Sequence, residues 1–289
     1  MANRWVLGAR PRTLPASVVP VVVGTAAAFG LGSHVFWWRA VAAGVVALAL
    51  QIATNYANDY SDGVKGTDDG RVGPVRLVAS GLASPGSVKR AAFVAFGVAG
   101  VAGAALALAT TPWLVAVGAA SMLAGWFYTG GPKPYGYLGL GEVFVFVFFG
   151  LVATAGSTFV QVERVTGVAV IAGCAMGCLS CSLLVVNNLR DIPTDTVAGK
   201  RTLAVRLGDA RTRWFYVVLV AAAFACAAGI GVSRPGAFAA LAAVVVAVPP
   251  VRIVRGGATG RALIAVLGGT GRLQLVFGLL LALGVGLTR

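Results

Sequence analysis

The sequence predicts an all-α polytopic membrane protein: nine transmembrane helices around a central cavity, with the N-terminus in the cytoplasm. Three observations lead there. Of 289 residues, 58% are hydrophobic and only 11% charged, where soluble domains carry about 25% charged residues. Apolar runs of membrane-spanning length recur along the whole chain. The 23 basic residues divide unevenly between alternate connections. High hydrophobicity excludes a disordered chain, and 40 glycines without a three-residue period exclude collagen.

The runs fall at 14–31, 38–57, 91–109, 112–128, 141–160, 166–187, 213–232, 236–251 and 271–288. The first follows a basic start and ends near Ala26-Ala27-Ala28, which imitates a secretory signal. The spans downstream make it a first membrane helix instead, shaped at its start by Pro15 and Pro20. The second closes on a polar segment beginning at Asn55. The third is rich in Gly and Ala, as in Gly97-Val98-Ala99-Gly100, a composition suited to close helix packing. The fourth leads into a short aromatic loop, Tyr128-Thr129-Gly130-Gly131-Pro132-Lys133-Pro134-Tyr135. The fifth opens on Glu142, read as a charge partner of its helix N-terminus. The sixth carries Cys174, Cys178 and Cys181, whose helical spacing suits packing as small hydrophobes rather than a cluster site. It closes on a second polar segment. The last three complete the set and leave only short connections, so residues 1–289 read as a single membrane-embedded domain.

With nine spans, one side of the membrane receives 19 of the 23 basic residues. The positive-inside rule assigns that side to the cytoplasm. It also explains the net charge of +14 without nucleic acid.

The acids are more informative. Seven of nine occupy two short cytoplasmic segments. In the first, Asn55, Asn58, Asp59 and Asp62 share one face if the helix continues, with Gly63 and Gly66 ending it and Asp68 and Asp69 following. In the second, Asn187, Asp191 and Asp195 recur every four residues after Asn187-Asn188-Leu189-Arg190, although Pro193 predicts that the helix ends or kinks there. Both segments contain Asn-x-x-x-Asp, four spans apart, which suggests a parallel internal duplication and two acid clusters facing one cavity. Clustered carboxylates repel unless a cation lies between them. Oxygen donors suit Mg²⁺, which completes its shell with substrate phosphates and water. Lys65, Arg76, Lys133, Arg190 and Lys200 stand ready for phosphate oxygens, or serve only topology. A single His, His34 on the other side, argues against a His-based triad or zinc centre.

A cytoplasmic, acid-lined cavity among apolar helices suits a lipid diphosphate, with its head on Mg²⁺ and its tail in the bilayer. Metal-assisted departure of the diphosphate would favour an allylic carbocation, and exclusion of water would protect it.

The chain resembles the UbiA-type membrane prenyltransferases over nearly its whole length. Asn58-Asp59-Tyr60-Ser61-Asp62 with Asp68 resembles that family's first aspartate motif, with the last acid displaced by two residues. Asp191-x-x-x-Asp195 followed by Gly199-Lys200 resembles the second, and Tyr128 with Lys133 resembles its loop elements. Gly8-Ala9-Arg10-Pro11-Arg12-Thr13, Gly73-Pro74-Val75-Arg76 and Asn187-Asn188-Leu189-Arg190-Asp191 are similar to the branch serving menaquinone biosynthesis in actinobacteria. The resemblance implies transfer of a prenyl chain from polyprenyl diphosphate to 1,4-dihydroxy-2-naphthoate at the bacterial cytoplasmic membrane, with loss of CO₂ and diphosphate. It implies Mg²⁺ on Asn58, Asp62, Asp68, Asp191 and Asp195, with Asp59 in support. It implies phosphate contacts from Lys65, Arg76, Lys133, Arg190 and Lys200, polar contacts from Asn55, Asn187 and Asn188, and Tyr60 and Tyr128 along the cation's path. Arg10 and Arg12 would attract the acceptor's carboxylate. Another aromatic or a phosphosugar acceptor remains open, as does a Mg²⁺-dependent transporter.

Overall fold

The computed structural model describes residues 3–32, 34–66 and 75–288, without the side chain of Arg12; among them there is no β-strand. Asp68 therefore lies outside the described residues. A short helix α1 (Arg4–Ala9) precedes α2 (Pro15–Phe29), α3 (Trp37–Lys65), α4 (Pro85–Ala109) and α5 (Trp113–Phe127). Then come α6 (Gly141–Val162), α7 (Gly167–Val197), α8 (Leu203–Ser233), α9 (Pro235–Arg255) and α10 (Ala262–Leu287). Each predicted apolar run coincides with one helix from α2 to α10. Seven of these helices are long and apolar enough to cross a membrane, while α2 and α5 are shorter, at 15 residues each.

Local chemistry sets the boundaries. Ser84, Thr166 and Thr202 cap α4, α7 and α8 by accepting from the backbone N–H three residues on. Gly66, at φ 69°, closes α3 in the left-handed region that glycine enters without strain. Pro193 does not end α7: the helix runs on to Val197, so Asn187, Asp191 and Asp195 stay on one continuous helix. Only four residues follow the proline, so little helix is left for its missing N–H to disturb. Pro20 inside α2 leaves the Ala16 carbonyl without its helical donor. Gln274 of α10 donates to that carbonyl at 3.5 Å, and to Ser180 of α7 at 2.9 Å.

The glycines act as the composition suggests. Gly150 on α6 faces Gly173 and Gly177 on α7, where an added Cβ would lie 2.5 Å from the Gly177 Cα. The backbones approach because neither helix carries a side chain there. A π-helical stretch, Phe146–Val152, widens α6 along this contact.

The main core joins α2 with α7 to α10 around Met176, Leu179, Tyr216 and Phe277. Cys178 and Cys181 lie in it, and all four thiols are free. A second cluster, around Tyr56, Leu77 and Val88, presses residues 75–83 onto α3 and α4. That smaller cluster positions one wall of the site. The helix pairs α3/α4 and α7/α8 pack extensively and occupy equivalent places in the suggested duplication.

Candidate active site

The polar end of α3 meets the segment that follows α7 through Asp62 and Lys200. Asp62, buried near the end of α3, is the centre. Its carboxylate accepts from the Tyr137 hydroxyl at 2.5 Å, from Lys200 Nζ at 3.4 Å and from Arg76 Nη2 at 3.4 Å. These donors come from three different connections. Tyr137 lies on a 3₁₀ turn, Tyr135–Leu138, whose backbone is tied to the segment after α7: Arg201 N–H donates to Tyr137 O at 3.0 Å. Lys65 and Lys200 both lie against the Tyr137 ring, at 5.1 and 4.7 Å from its centroid. Cations and an aromatic face thus surround one carboxylate.

Asn58 lies one helical turn before Asp62 and accepts from the Thr129 hydroxyl at 2.8 Å. On α7, the Arg190 guanidinium grips its neighbour Asp191 at 2.7 and 2.8 Å and reaches Asn187 Oδ1 at 2.8 Å. Asp195 O accepts from Lys200 N–H at 2.8 Å, which turns the chain back toward Asp62. Tyr128 stands between the clusters. Its hydroxyl is held far above the usual phenol range, first by burial and then by the negative charge of Glu142 and the nearby Tyr135, Asp62 and Asp195. Tyr128 therefore stays neutral; its ring packs edge-on against Tyr135 and lies beside Gly136 and Gly141. Burial raises Tyr135 likewise; its ring stacks on Phe144 at 3.9 Å between centroids.

Several expected residues take other work. Asp59, fully buried, does not join the Asp62 cluster: its two oxygens accept from the backbone N–H groups of Leu77 and Val78 at 2.7 and 3.0 Å. It anchors the segment that carries Arg76. Asn55 donates to Ala9 O at 2.9 Å and to Thr13 Oγ1 at 3.3 Å, tying the N-terminal segment to α3. The shared face of four residues is thus split, because a helix face of this width meets two different neighbours. Tyr60 turns away, stacked on Trp126 and beneath Lys89. Lys65 donates to the carbonyls of Thr129 and Gly131 at 2.7 and 3.2 Å. Lys133 is exposed. Arg10 is half-buried with a left-handed backbone, φ 54°, held by Thr13, whose N–H and hydroxyl both donate to its carbonyl.

Tyr137 was not singled out in the sequence, and Glu142 only as a helix charge partner. Tyr137 carried one signal, a tyrosine in the same loop as Lys133. Glu142 was read as a helix charge partner, yet it is buried and accepts from Asn188 of α7 at 3.0 Å.

The donor set fits a hard divalent cation. Carboxylates and amide oxygens gather here, and the thiols lie elsewhere, in the core. Among the described residues no three acidic, His or Cys side chains stand together as a ready-made metal cage. A hard divalent cation can complete its shell with phosphate oxygens and water.

Comparison with known proteins bears on this arrangement. The profile of the UbiA prenyltransferase family matches residues 17–257. The chain is 53% identical over 279 residues to a 1,4-dihydroxy-2-naphthoate octaprenyltransferase of Mycobacterium tuberculosis, covering 96% of this chain and 95% of that one. It is 37% identical to the protein of that name from Escherichia coli, over 78% of this chain and 75% of the relative. Among solved structures, a UbiA homolog from Archaeoglobus fulgidus bound to GPP and Mg²⁺ superposes with a TM-score of 0.69 at 14% identity, covering 96% and 99% of the two chains. An apo UbiA homolog from Aeropyrum pernix K1 gives 0.72 at 15% identity, covering 91% and 96%. The helical architecture, the polar ends of α3 and α7 and the family match agree: this chain belongs to the UbiA prenyltransferase family.

Proposed function

We propose that the protein transfers a polyprenyl chain from polyprenyl diphosphate to 1,4-dihydroxy-2-naphthoate, releasing CO₂ and diphosphate and giving demethylmenaquinol, the reduced form of demethylmenaquinone. The observation that carries the site assignment is the convergence of Lys200, Arg76 and Tyr137 on buried Asp62, beside the Arg190–Asp191 pair. An anionic headgroup suits a metal held by carboxylates with basic side chains close by. The acceptor assignment is supported by the naphthoate octaprenyltransferases among the relatives.

In this reading Asn58, Asp62, Asp191 and Asp195 hold Mg²⁺, directly or through water, together with Asp68. When bound, the metal neutralises the diphosphate and improves it as a leaving group. Lys200, Arg76 and Arg190 exchange their carboxylate contacts for phosphate oxygens as substrate enters. Tyr137 hydrogen-bonds the same cluster and keeps Asp62 aimed. Neutral Tyr128 offers its ring to the developing allylic cation. Asp59 and Asn55 hold the segments bearing Arg76, Arg10 and Arg12, and these last two draw in the naphthoate carboxylate. Lys133 adds positive potential at the mouth. The surrounding helices exclude water from the cation.

Nine membrane crossings, α2 to α10, complete the account, with the N-terminus and the active site in the cytoplasm and the chain in the bacterial cytoplasmic membrane. The charge asymmetry supports this orientation. The test is turnover of purified protein with an all-trans prenyl diphosphate, 1,4-dihydroxy-2-naphthoate and Mg²⁺. Formation of a prenylated, decarboxylated naphthoquinol is expected; consumption of the diphosphate only with another acceptor would overturn the acceptor assignment.

A further inference from the structure

Glu142 is an acid of the site region that neither the proposed metal site nor the anchoring of residues 75–83 uses. It lies in the first turn of α6 and is 5% exposed. One oxygen, Oε1, is fixed by the Asn188 amide at 3.0 Å. The other, Oε2, is fully buried and accepts from no described group. A carboxylate left half-satisfied among apolar helices is costly and persists where it has work to do. Pairing with the helix N-terminus explains its position in sequence. It does not explain the Asn188 tether or the orphan oxygen.

Its place in depth is informative. Asn188 precedes Asp191 by three residues on α7, about 4.5 Å along the helix axis, so Glu142 is tethered inward of Asp191. Tyr128 joins the two levels, since its hydroxyl would lie 3.5 Å from a Cβ placed on Gly141, the neighbour of Glu142. Tyr128 also feels the charges of Asp62 and Asp195. In the proposed reaction, an acceptor ring facing the allylic carbon of a headgroup-bound diphosphate would lie on this inner side.

We infer that Glu142 is the general base that takes the hydroxyl proton of the acceptor, with Asn188 as its positioning residue. This rests on the prenyl-transfer reading above. As Oε2 accepts the proton, the O–H pair stays on oxygen and feeds into the ring. The ring carbon that bears the carboxylate forms a C–C bond to the allylic carbon, whose C–O bond breaks with its pair leaving on diphosphate. Loss of CO₂ returns a pair to the ring oxygen, which recovers the proton from Glu142. No oxidant or reductant is needed.

The experiment compares Glu142→Gln with the wild type in detergent. The amide keeps the size and an acceptor for Asn188 but cannot take the proton. The groups facing Glu142 are Asn188 and Cys181 from α7, the latter donating to the Glu142 carbonyl at 3.1 Å, and Tyr128 after α5, which also neighbours Tyr135, Asp62 and Asp195. The variant is expected to lose about 100-fold or more in kcat. Its KM for prenyl diphosphate should stay within about twofold of the wild type. Its activity should climb as pH rises toward about 10, where a phenolic acceptor ionises unaided. A loss equal at every pH, or kcat within about threefold of wild type, overturns the base assignment. If Glu142→Gln does not fold, Glu142→Asp replaces it: a pH profile like the wild type's supports the base, and one that climbs without limit contradicts it. If the wild type prenylates only a different acceptor, the naphthoate reading fails, and the same comparison on that acceptor still decides Glu142.

Discussion

Replacing Asp59 separates anchoring from catalysis. The carboxylate accepts two buried backbone N–H groups, from Leu77 and Val78. A hydrogen bond to a charged group is worth about 1.5–3 kcal/mol, so Asp59→Ala should cost roughly 3–6 kcal/mol, taken up first in the 75–83 segment. Asp59→Asn retains one neutral acceptor and should cost about half as much. Because this segment carries Arg76, which reaches Asp62 at 3.4 Å, the asparagine variant should raise the KM for prenyl diphosphate more than it lowers kcat. Hydrogen exchange over residues 75–83 measures the opening directly, and steady-state kinetics measure the KM. Unchanged exchange in Asp59→Asn, combined with lost Mg²⁺-dependent binding, would refute the anchor and make Asp59 a metal ligand.

Other expectations follow from the same geometry. Tyr137→Phe removes the hydroxyl bonded to Asp62; prenyl diphosphate KM should rise about tenfold, the equivalent of about 1.4 kcal/mol, as steady-state kinetics would show. Gly150→Leu should destabilise the α6–α7 contact, since its Cβ already meets Gly177 and Gly173; a thermal unfolding scan in detergent should show a clearly lowered midpoint. Chelation with EDTA should abolish turnover and added Mg²⁺ should restore it, without change in helical content by circular dichroism.

The sequence carried the architecture because membrane helices announce themselves by length and apolarity. Every predicted run coincides with a helix, although α3, α7 and α8 run well beyond their apolar cores. Those extensions are polar, so hydropathy could not bound them, and Pro193 pointed to an end that α7 passes. Polar pairings were legible where chemistry is local: Lys200 and Arg76 reach Asp62, and Arg190 pairs with Asp191. They were illegible where a side chain's direction depends on a distant partner. Asp59 sits three residues from Asp62, yet the 75–83 segment claims it, and nothing in the intervening sequence states that pairing. Tyr137 entered through the turn that joins α5 to α6, whose fold against Arg201 is a tertiary fact.

The central claim is that the ends of α3 and α7 form one diphosphate site. A double-mutant cycle of Asp62→Asn and Asp191→Asn on Mg²⁺-dependent prenyl diphosphate binding tests it most directly. A shared site predicts that the two losses are coupled, with an interaction energy of about 0.5–3 kcal/mol. Losses that add to within about 0.5 kcal/mol would show two independent sites and contradict the account.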